Sequence, residues 1–555
     1  MKSKTGIYAL AFLVIAAAFF TRAGAQTVDY KSMVQRINKL VAGYPALCSV
    51  KSIGKTQGGN DIWVLTIGSS NPDDRPAIAV AGGVDGSYVF TRDIVLGFAE
   101  NILKDSGTEG IKDLLGKITF YVFPDVNPDA SAQYFAGMKY ERTLNGRNVD
   151  DDRDFTAGED PFEDLNRDGL ITQIRVEDPA GKWTEGTDDK RLMTQADLAR
   201  IKQKLYTVYS EGIDNDKDGL FNEDGPGGVD FNMNFTYNYE EFGKGAGLHP
   251  VSEPESKAVA DFLFDHFNIY AVISFGPQDN LGQPPLRGGE RPSAGTFSQP
   301  AGQQQARITG DRRLTSVLRS DEAVIKIVSD RYREITGFTG TPPAKNNPGS
   351  FSDWAYYHYG RYCFTTPGWW INPDKGKSPE ATLLRMADEN KVTGVFVPWT
   401  EIKHPDFPGK KVEVGGIAPF ALTIPPSDQA EEIITKNYKF ITAVAGMHPE
   451  LEFTDVSVEN AGSDLFRISL KVHNAGIFAT CAEAGDNNMF TRIMRISAEP
   501  AKGQTIISGQ KVQRIQRLEG NSTAEYSWLV SGKGRFTVTA GALNTGTITT
   551  SFDLK

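Results

Sequence analysis

Oxygen donors crowd two short stretches of this chain. Asp164, Asn166 and Asp168 stand at alternate positions ahead of Gly169, and Asp214, Asp216 and Asp218 repeat the arrangement ahead of Gly219. Alternating carboxylates before a glycine open a calcium loop, because a hard cation wants six or more oxygens gathered by a sharp turn. Asp150, Asp152 and Asp154 share the spacing, although Phe155 takes the glycine's place, and Arg175 stands where the first loop would need its terminal glutamate. The chemistry this suggests is structural calcium, set against plain solvated acidic turns. A softer metal has less to hold it. The six histidines are His249, His266, His358, His404, His448 and His473, and none begins a His-x-x-Glu pair. Each reads as a surface or structural residue rather than a zinc ligand.

The elements that must carry these residues follow from hydrophobic patterning. From residue 29 to about 447, apolar β-type runs alternate with helical patterns, the signature of an α/β sheet covered by helices. Residues 62–67, 77–81, 118–123, 270–275 and 362–365 are predicted strands. Val89, Ile94, Val95, Phe98 and Ile102 recur at helical spacing, and Ser252 with Glu255 forms a capping box where another helix starts. Residues 280–313, rich in Gly, Pro, Gln and Arg, predict a long mobile insertion. Beyond Pro449, Phe466, Ile468, Leu470 and Val472 alternate with polar residues, and Phe536 and Val538 do so again. That period of two predicts a separate all-β sandwich over 449–555, a spacer or interaction module without a catalytic cluster.

Length and composition bound the rest. A chain of 555 residues exceeds one small core. Its organisation is read as a signal peptide over 1–25, an α/β domain over 26–448 with acidic loops at 150–224, and the sandwich. Lys2 and Lys4 precede an apolar run at 7–20, and Ala23-Gly24-Ala25 offers a cleavage site before Gln26. The run is shorter than the ~20 residues a membrane span needs, so the protein is expected to be exported to the periplasm, cell surface or medium. Cys48, Cys363 and Cys481 are too few for a disulfide framework, and at least one is unpaired. The net charge of −11 argues against nucleic acid or an anionic membrane as partner.

Gly82-Gly83-Val84-Asp85-Gly86-Ser87-Tyr88 follows a predicted strand and opens a helix. It resembles the zinc-binding turn of the carboxypeptidase A-like metallopeptidases, where a His is followed three residues later by a Glu. Pro124, Asn127, Pro128 and Asp129 are similar to that family's Asn-Pro-Asp segment, and Asp230 to Phe235 to its Asn-Arg segment. Ser252 to Glu255, Gly349-Ser350 and Asp353-Trp354 continue the likeness, which spans most of the chain before 447. It implies a mixed β-sheet flanked by helices in three layers, a catalytic zinc and action on peptide C-termini.

The departures fall on the chemistry. The resemblance puts zinc ligands at Asp85, Tyr88 and Gly276, and the general base at Pro367, after Phe364-Thr365-Thr366. One carboxylate, a phenol and a glycine make a poor zinc site, and proline cannot carry a proton. Asn232 matches a substrate-binding residue, its neighbouring Arg is replaced by Met233, and Arg142 corresponds to an arginine that stabilises the transition state. No tyrosine lies in 341–350, where the family commonly has one. The acidic loops resemble a structural insertion of some bacterial members. Three functions are therefore open. The first is a degenerate homologue without zinc, holding at most a peptide or its terminal carboxylate through Arg142 and Asn232. The second is an active zinc carboxypeptidase acting on peptides or cell-wall stems, through Asp85 with Asp129 or Asp279. The third is a structural surface protein that binds through the sandwich or the insertion.

Overall fold

The computed structural model describes residues 27–69, 71–150, 155–197, 203–217, 219, 221–222, 225, 227–284, 315–488 and 490–555. The expected signal peptide, Asp152, Asp154, Asp218 and residues 285–313 of the expected insertion lie outside the described residues. In chain order the strands before residue 420 are β1 (Cys48–Lys55), β2 (Asp61–Ile67), β3 (Ala77–Ala81), β4 (Thr119–Phe123), β5 (Gln173–Glu177), β6 (Trp183–Glu185), β7 (Met193–Gln195), β8 (Tyr206–Ser210), β9 (Ile269–Phe275), β10 (Tyr362–Thr366), β11 (Phe396–Ile402) and β12 (Val412–Ile417).

Among the described residues, six of these form a mixed sheet in the order β1-β2-β4-β3-β9-β10. The run β4-β3-β9-β10 is parallel, and β1 and β2 close one side antiparallel. Parallel strands covered on both faces become continuous apolar runs, which is why β3 reads AIAVA and β9 reads IYAVISF. Alternate side chains divide between the layers. Ile78, Val80, Phe120, Val122 and Ile273 pack with the helices Tyr30–Gly43, Phe90–Lys104, Arg319–Thr336 and Ala430–Ala445. Ala79, Ala81, Tyr121, Phe123 and Val272 pack beneath the helix Pro254–Asp265. This is the helix-flanked, three-layer mixed sheet that the resemblance implies.

Three expectations need correction. The helix expected to start at a Ser252 capping box starts at Pro254, with Glu253 in the cap position. Proline suits the first helical turn, and the Ser252 hydroxyl instead donates to Glu253 Oε1 (2.8 Å). Residues 280–282, assigned to a mobile insertion, belong to the packed domain. Leu281 is buried in the core, and Asn280 exchanges hydrogen bonds with β10 through Thr365 and Cys363. The stretch around the acidic loops is more than loops: β11-β12-β5-β8-β6-β7 form a second, antiparallel sheet. Its own small core is Ile174, Val176, Val412 and Val414.

Beyond Met447 the described strands form two four-stranded antiparallel sheets. Phe466, Ile468, Leu470 and Val472 turn inward with Trp528, Phe536 and Val538, as their alternation predicts. Cys48, Cys363 and Cys481 are all free. No helix among the described residues is long and apolar enough to cross a membrane.

Candidate functional site

Parallel strands that end level bring the turns after them together. Ala81 pairs with Ser274 and Thr366 with Phe275, so Gly82, Gly276 and Pro367 follow at one edge of the sheet. The Gly276 N–H donates to the Thr366 carbonyl (3.1 Å). The turn carrying Asp85 is shaped by its glycines. Gly82 N–H donates to the Phe123 carbonyl (2.9 Å), and a Cβ at Gly82 would lie 2.7 Å from the Thr91 carbonyl oxygen. Gly83 has φ +65°, open to glycine at little cost. The structure thus gathers Asp85, Tyr88, Gly276 and Pro367.

What they present differs from a metal centre. Asp85 is 1% exposed, and its Oδ1 accepts from the Ser87 N–H (2.8 Å) and the Ser87 hydroxyl (2.5 Å). Burial raises its carboxyl above the ordinary range, against the Ser87 hydrogen bonds and the charge of Lys345. Burial also raises the Tyr88 phenol, with Asp85 and Glu141 adding to the effect, so it keeps its proton at neutral pH. A Cβ at Gly276 would sit 3.3 Å from Val84 Cβ and 3.9 Å from Gln278 Oε1. A side chain there would press lightly on Val84.

Asp230 is a member of the site that its motif alone did not reveal. It is 5% exposed and caps the turn Phe231–Met233, its Oδ1 accepting from the Asn232 N–H (2.8 Å). Burial and then the Asp85 charge push its carboxyl up to about 8, against hydrogen bonds from Asn232 and Thr143 and the charge of Lys345. Asn232 itself is fully buried. Its amide donates to Gln278 Oε1 (2.8 Å), and its oxygen accepts from the Phe351 N–H (3.0 Å). Gln278 is 5% exposed, and its Nε2 has no partner among the described residues. Glu141 accepts from the Phe420 N–H (2.9 Å); loss of solvent raises its carboxyl, while Phe420 and Lys345 oppose the rise.

The remaining candidates are committed elsewhere. Arg142 donates through Nε to the Leu144 carbonyl (2.8 Å) and through Nη2 to the Asn145 carbonyl. Asp129 accepts from Thr56 (2.6 Å), Gly58 (2.7 Å), Asn60 (2.9 Å) and Gly146 (3.1 Å). Asp279 accepts from Gly282 (2.9 Å) and Gln283 (2.7 Å), and burial pushes it up to about 6. Among the histidines, His404 is buried with Nε2 2.9 Å from the Gly212 carbonyl, and His266 stacks on Phe262. Among the described residues, no group of three or more His, Cys, Asp or Glu could hold a metal ion.

The two acidic turns share a backbone. Arg167 and Lys217 both take positive φ, at +62° and +69°. Gly169 N–H donates to Asp164 Oδ2 (2.7 Å), and Gly219 N–H to Asp214 Oδ2 (3.0 Å). Asp168 N–H adds a bond to Asp164 Oδ1 (3.0 Å), and Asn166 Nδ2 donates to Asp168 Oδ2 (3.0 Å). Asp150 accepts from the Phe155 N–H (3.0 Å).

Residues 33–180 match the zinc carboxypeptidase family. Residues 450–553 match a family described as a domain of unknown function. Carboxypeptidase B of Astacus astacus is 29% identical over 107 residues, which is 19% of this chain and 34% of that protein. Carboxypeptidase D of Anas platyrhynchos is 28% identical over 143 residues, 24% of this chain and 9% of that protein. The chain thus spans well under half the length of the curated relatives it matches. Similar solved structures include a carboxypeptidase A from Helicoverpa armigera, with TM-score 0.40, 15% identity and coverage of 76% of this chain and 73% of that one. Another is thrombin activatable fibrinolysis inhibitor, with TM-score 0.40, 15% identity and coverage of 76% and 74%.

Proposed function

We propose that this chain is an exported carboxypeptidase-like protein that has given up zinc and hydrolysis, keeping at most the ability to hold a peptide by its C-terminal end. The observation that carries the reading is Gly276. A catalytic zinc needs three protein donors and an open position for water. Here one of the three has no side chain to donate, and Val84 lies close in front of it, 3.3 Å from where a Cβ would stand. Tyr88 is a protonated phenol, and Asp85 spends one oxygen on Ser87. Zinc does not fit these residues, and Pro367 leaves the general-base position without a proton carrier.

Hydrolysis through Asp85 with Asp129 or Asp279 is less well supported, because both partners already accept several hydrogen bonds from their own loops. The shared backbone of the acidic turns supports a structural calcium role over a catalytic one. A peptide carboxylate would meet Arg142 only by competing with two backbone carbonyls. The test is a comparison of peptides with free and amidated C-termini, by fluorescence anisotropy and by release of the terminal residue. The expected result is no release, with any binding lost on amidation. Turnover of the free peptide in the presence of zinc would refute the proposal.

A further inference from the structure

A groove of about 1020 Å³ shares no lining residue with the candidate site. Three segments distant in sequence build it: the loop from Thr236 to Glu241, the turn carrying Tyr357 and His358, and Asn487, Asn488 and Phe490 from beyond residue 449. Backbone and short side chains fix where they meet. The Tyr237 carbonyl accepts from the Gly349 N–H (3.1 Å). Trp354–His358 forms a π-helical turn, a rare widening of the helix that is frequent at functional sites. Asn488 Nδ2 donates to the His358 carbonyl (2.7 Å), and Asn488 Oδ1 accepts from the Phe490 N–H (3.1 Å), so one side chain ties that turn to the Phe490 segment. The short helix Glu483–Asn488 comes this close because Gly360 has no Cβ, which would stand 2.5 Å from Gly485 Cα.

The groove presents rings and uncommitted polar groups side by side. Tyr237 and Tyr357 stack with centroids 4.3 Å apart and planes 14° apart. Tyr357 is buried, which leaves Tyr237 the more exposed of the pair. The His358 and Phe490 rings lie 5.5 Å apart at 34°, and Phe490 is exposed although it also meets Phe264 at 5.5 Å. His358 Nδ1 is 2.5 Å from the Thr236 hydroxyl, and its Nε2 has no partner among the described residues. Burial holds His358 below its usual pKa, so the ring is neutral at pH 7. The Asn238 and Asn487 amides and the Glu241 carboxylate are exposed and make no hydrogen bond among the described residues. Glu241 is the one charged side chain among the described lining residues, so the groove offers an anionic ligand no cation.

A matching ligand is neutral, has faces of C–H groups and bears hydroxyls that both donate and accept. A saccharide meets all three conditions. The C–H face of a pyranose seats on the negative face of an aromatic ring, and its hydroxyls pair with amides and carboxylates. An apolar peptide side chain would instead cover those polar groups without pairing them, at a desolvation cost. Ordinary ligand sites run to ~300–1,000 Å³, so this volume has room for several sugar units. We infer that the groove binds a neutral oligosaccharide, with Tyr237, His358 and Phe490 as stacking faces and Asn238, Asn487 and Glu241 as hydroxyl partners. None of these residues belongs to the candidate site, so the inference stands apart from the zinc reading.

The test is isothermal titration calorimetry of the full chain with cellohexaose, xylohexaose, mannohexaose and chitohexaose, and with hexagalacturonate as the charged counterpart. At least one neutral sugar is expected to bind with Kd below about 1 mM, and hexagalacturonate more weakly than it. Phe490→Ala is expected to weaken that binding about three- to tenfold, and Phe490→Trp to keep it. Asn487→Ala, at an exposed position, should weaken it as well, and it carries the test if Phe490→Ala fails to fold. Phe242→Ser, exposed and outside the groove, should leave binding unchanged. The Tm of each variant is measured beside wild type. No binding of any neutral sugar at about 5 mM overturns the inference, as does preference for hexagalacturonate. A bound sugar that ignores folded Phe490→Ala and Asn487→Ala, or that Phe242→Ser weakens equally, overturns it too.

Discussion

At Gly276 the proposed loss of a ligand has a packing side, because a Cβ there would stand 3.3 Å from Val84 Cβ and a larger side chain must push it aside. Gly276→His is expected to lose about 1–3 kcal/mol in denaturant unfolding and to gain no stoichiometric zinc, with Val84→Ala recovering part of the loss. Unchanged stability would show that the space was open. Asp230 gives a second expectation. A carboxyl raised on folding holds its proton more tightly in the folded chain. Its contribution is therefore full below pH ~4 and is lost as pH climbs toward its folded value of about 8. Asp230→Asn should gain in unfolding free energy relative to wild type as pH rises from about 5 to 8, by an amount on the order of 1–3 kcal/mol. A difference that stays flat with pH would contradict the burial argument. Asp85, Tyr88, Gly276 and Pro367 were legible in the sequence because paired glycines and the Phe-Thr-Thr run fix their register. Asp230, although inside a quoted motif, and Gln278 were given no part in it, because both matter through burial, at 5% exposure each, which the linear sequence does not display.

The helix Phe90–Lys104 connects the site to the core, and it carries a buried ion pair. Arg92 Nε lies 2.6 Å from Asp125 Oδ2, with side chains 4% and 0% exposed. Burial pushes Asp125 up to about 6 against the pull of Arg92. Removing one partner leaves the other uncompensated, so Arg92→Met is expected to cost about 3–5 kcal/mol. Arg92→Met/Asp125→Asn should cost less, and equal losses in the single and double variants would show the pair does not interact. The sequence announced this helix through Val89, Ile94, Val95, Phe98 and Ile102, and it announced the parallel strands through their unbroken apolar runs. It did not announce the second sheet. β6 and β7 have three residues each, and β5 and β8 five, so each run is too short for a period to stand out. The Ser252 capping box failed for a local reason, since Pro254 and the Glu253–Ser252 hydrogen bond set the start of the helix.

The two halves of the chain share more than a linker. Phe478 and Ala482, from the region after residue 449, belong to the main core, where Phe478 lies 5.1 Å from the Tyr362 ring and 5.7 Å from the Phe364 ring. Arg517 pairs with the buried Asp321 (3.3 Å), and Asp321 also accepts the Glu483 and Ala484 N–H groups. A chain stopped at residue 448 would expose Tyr270, Tyr362 and Phe364, and is expected to aggregate or lose its cooperative transition. Phe478→Ala in the full chain should cost about 3–5 kcal/mol, with calorimetry showing one joint transition. A soluble 27–448 fragment melting as the full protein does would separate the halves. Alternation told the strands of the C-terminal part apart, but nothing in their period told which residues cross into the neighbouring core. The central proposal, that this carboxypeptidase-like chain holds no zinc, meets its most direct test in elemental analysis of the purified full chain after exchange against a weak chelator. The account predicts well under one zinc per chain, unchanged by Asp85→Ala. One zinc per chain that disappears with Asp85→Ala would contradict it.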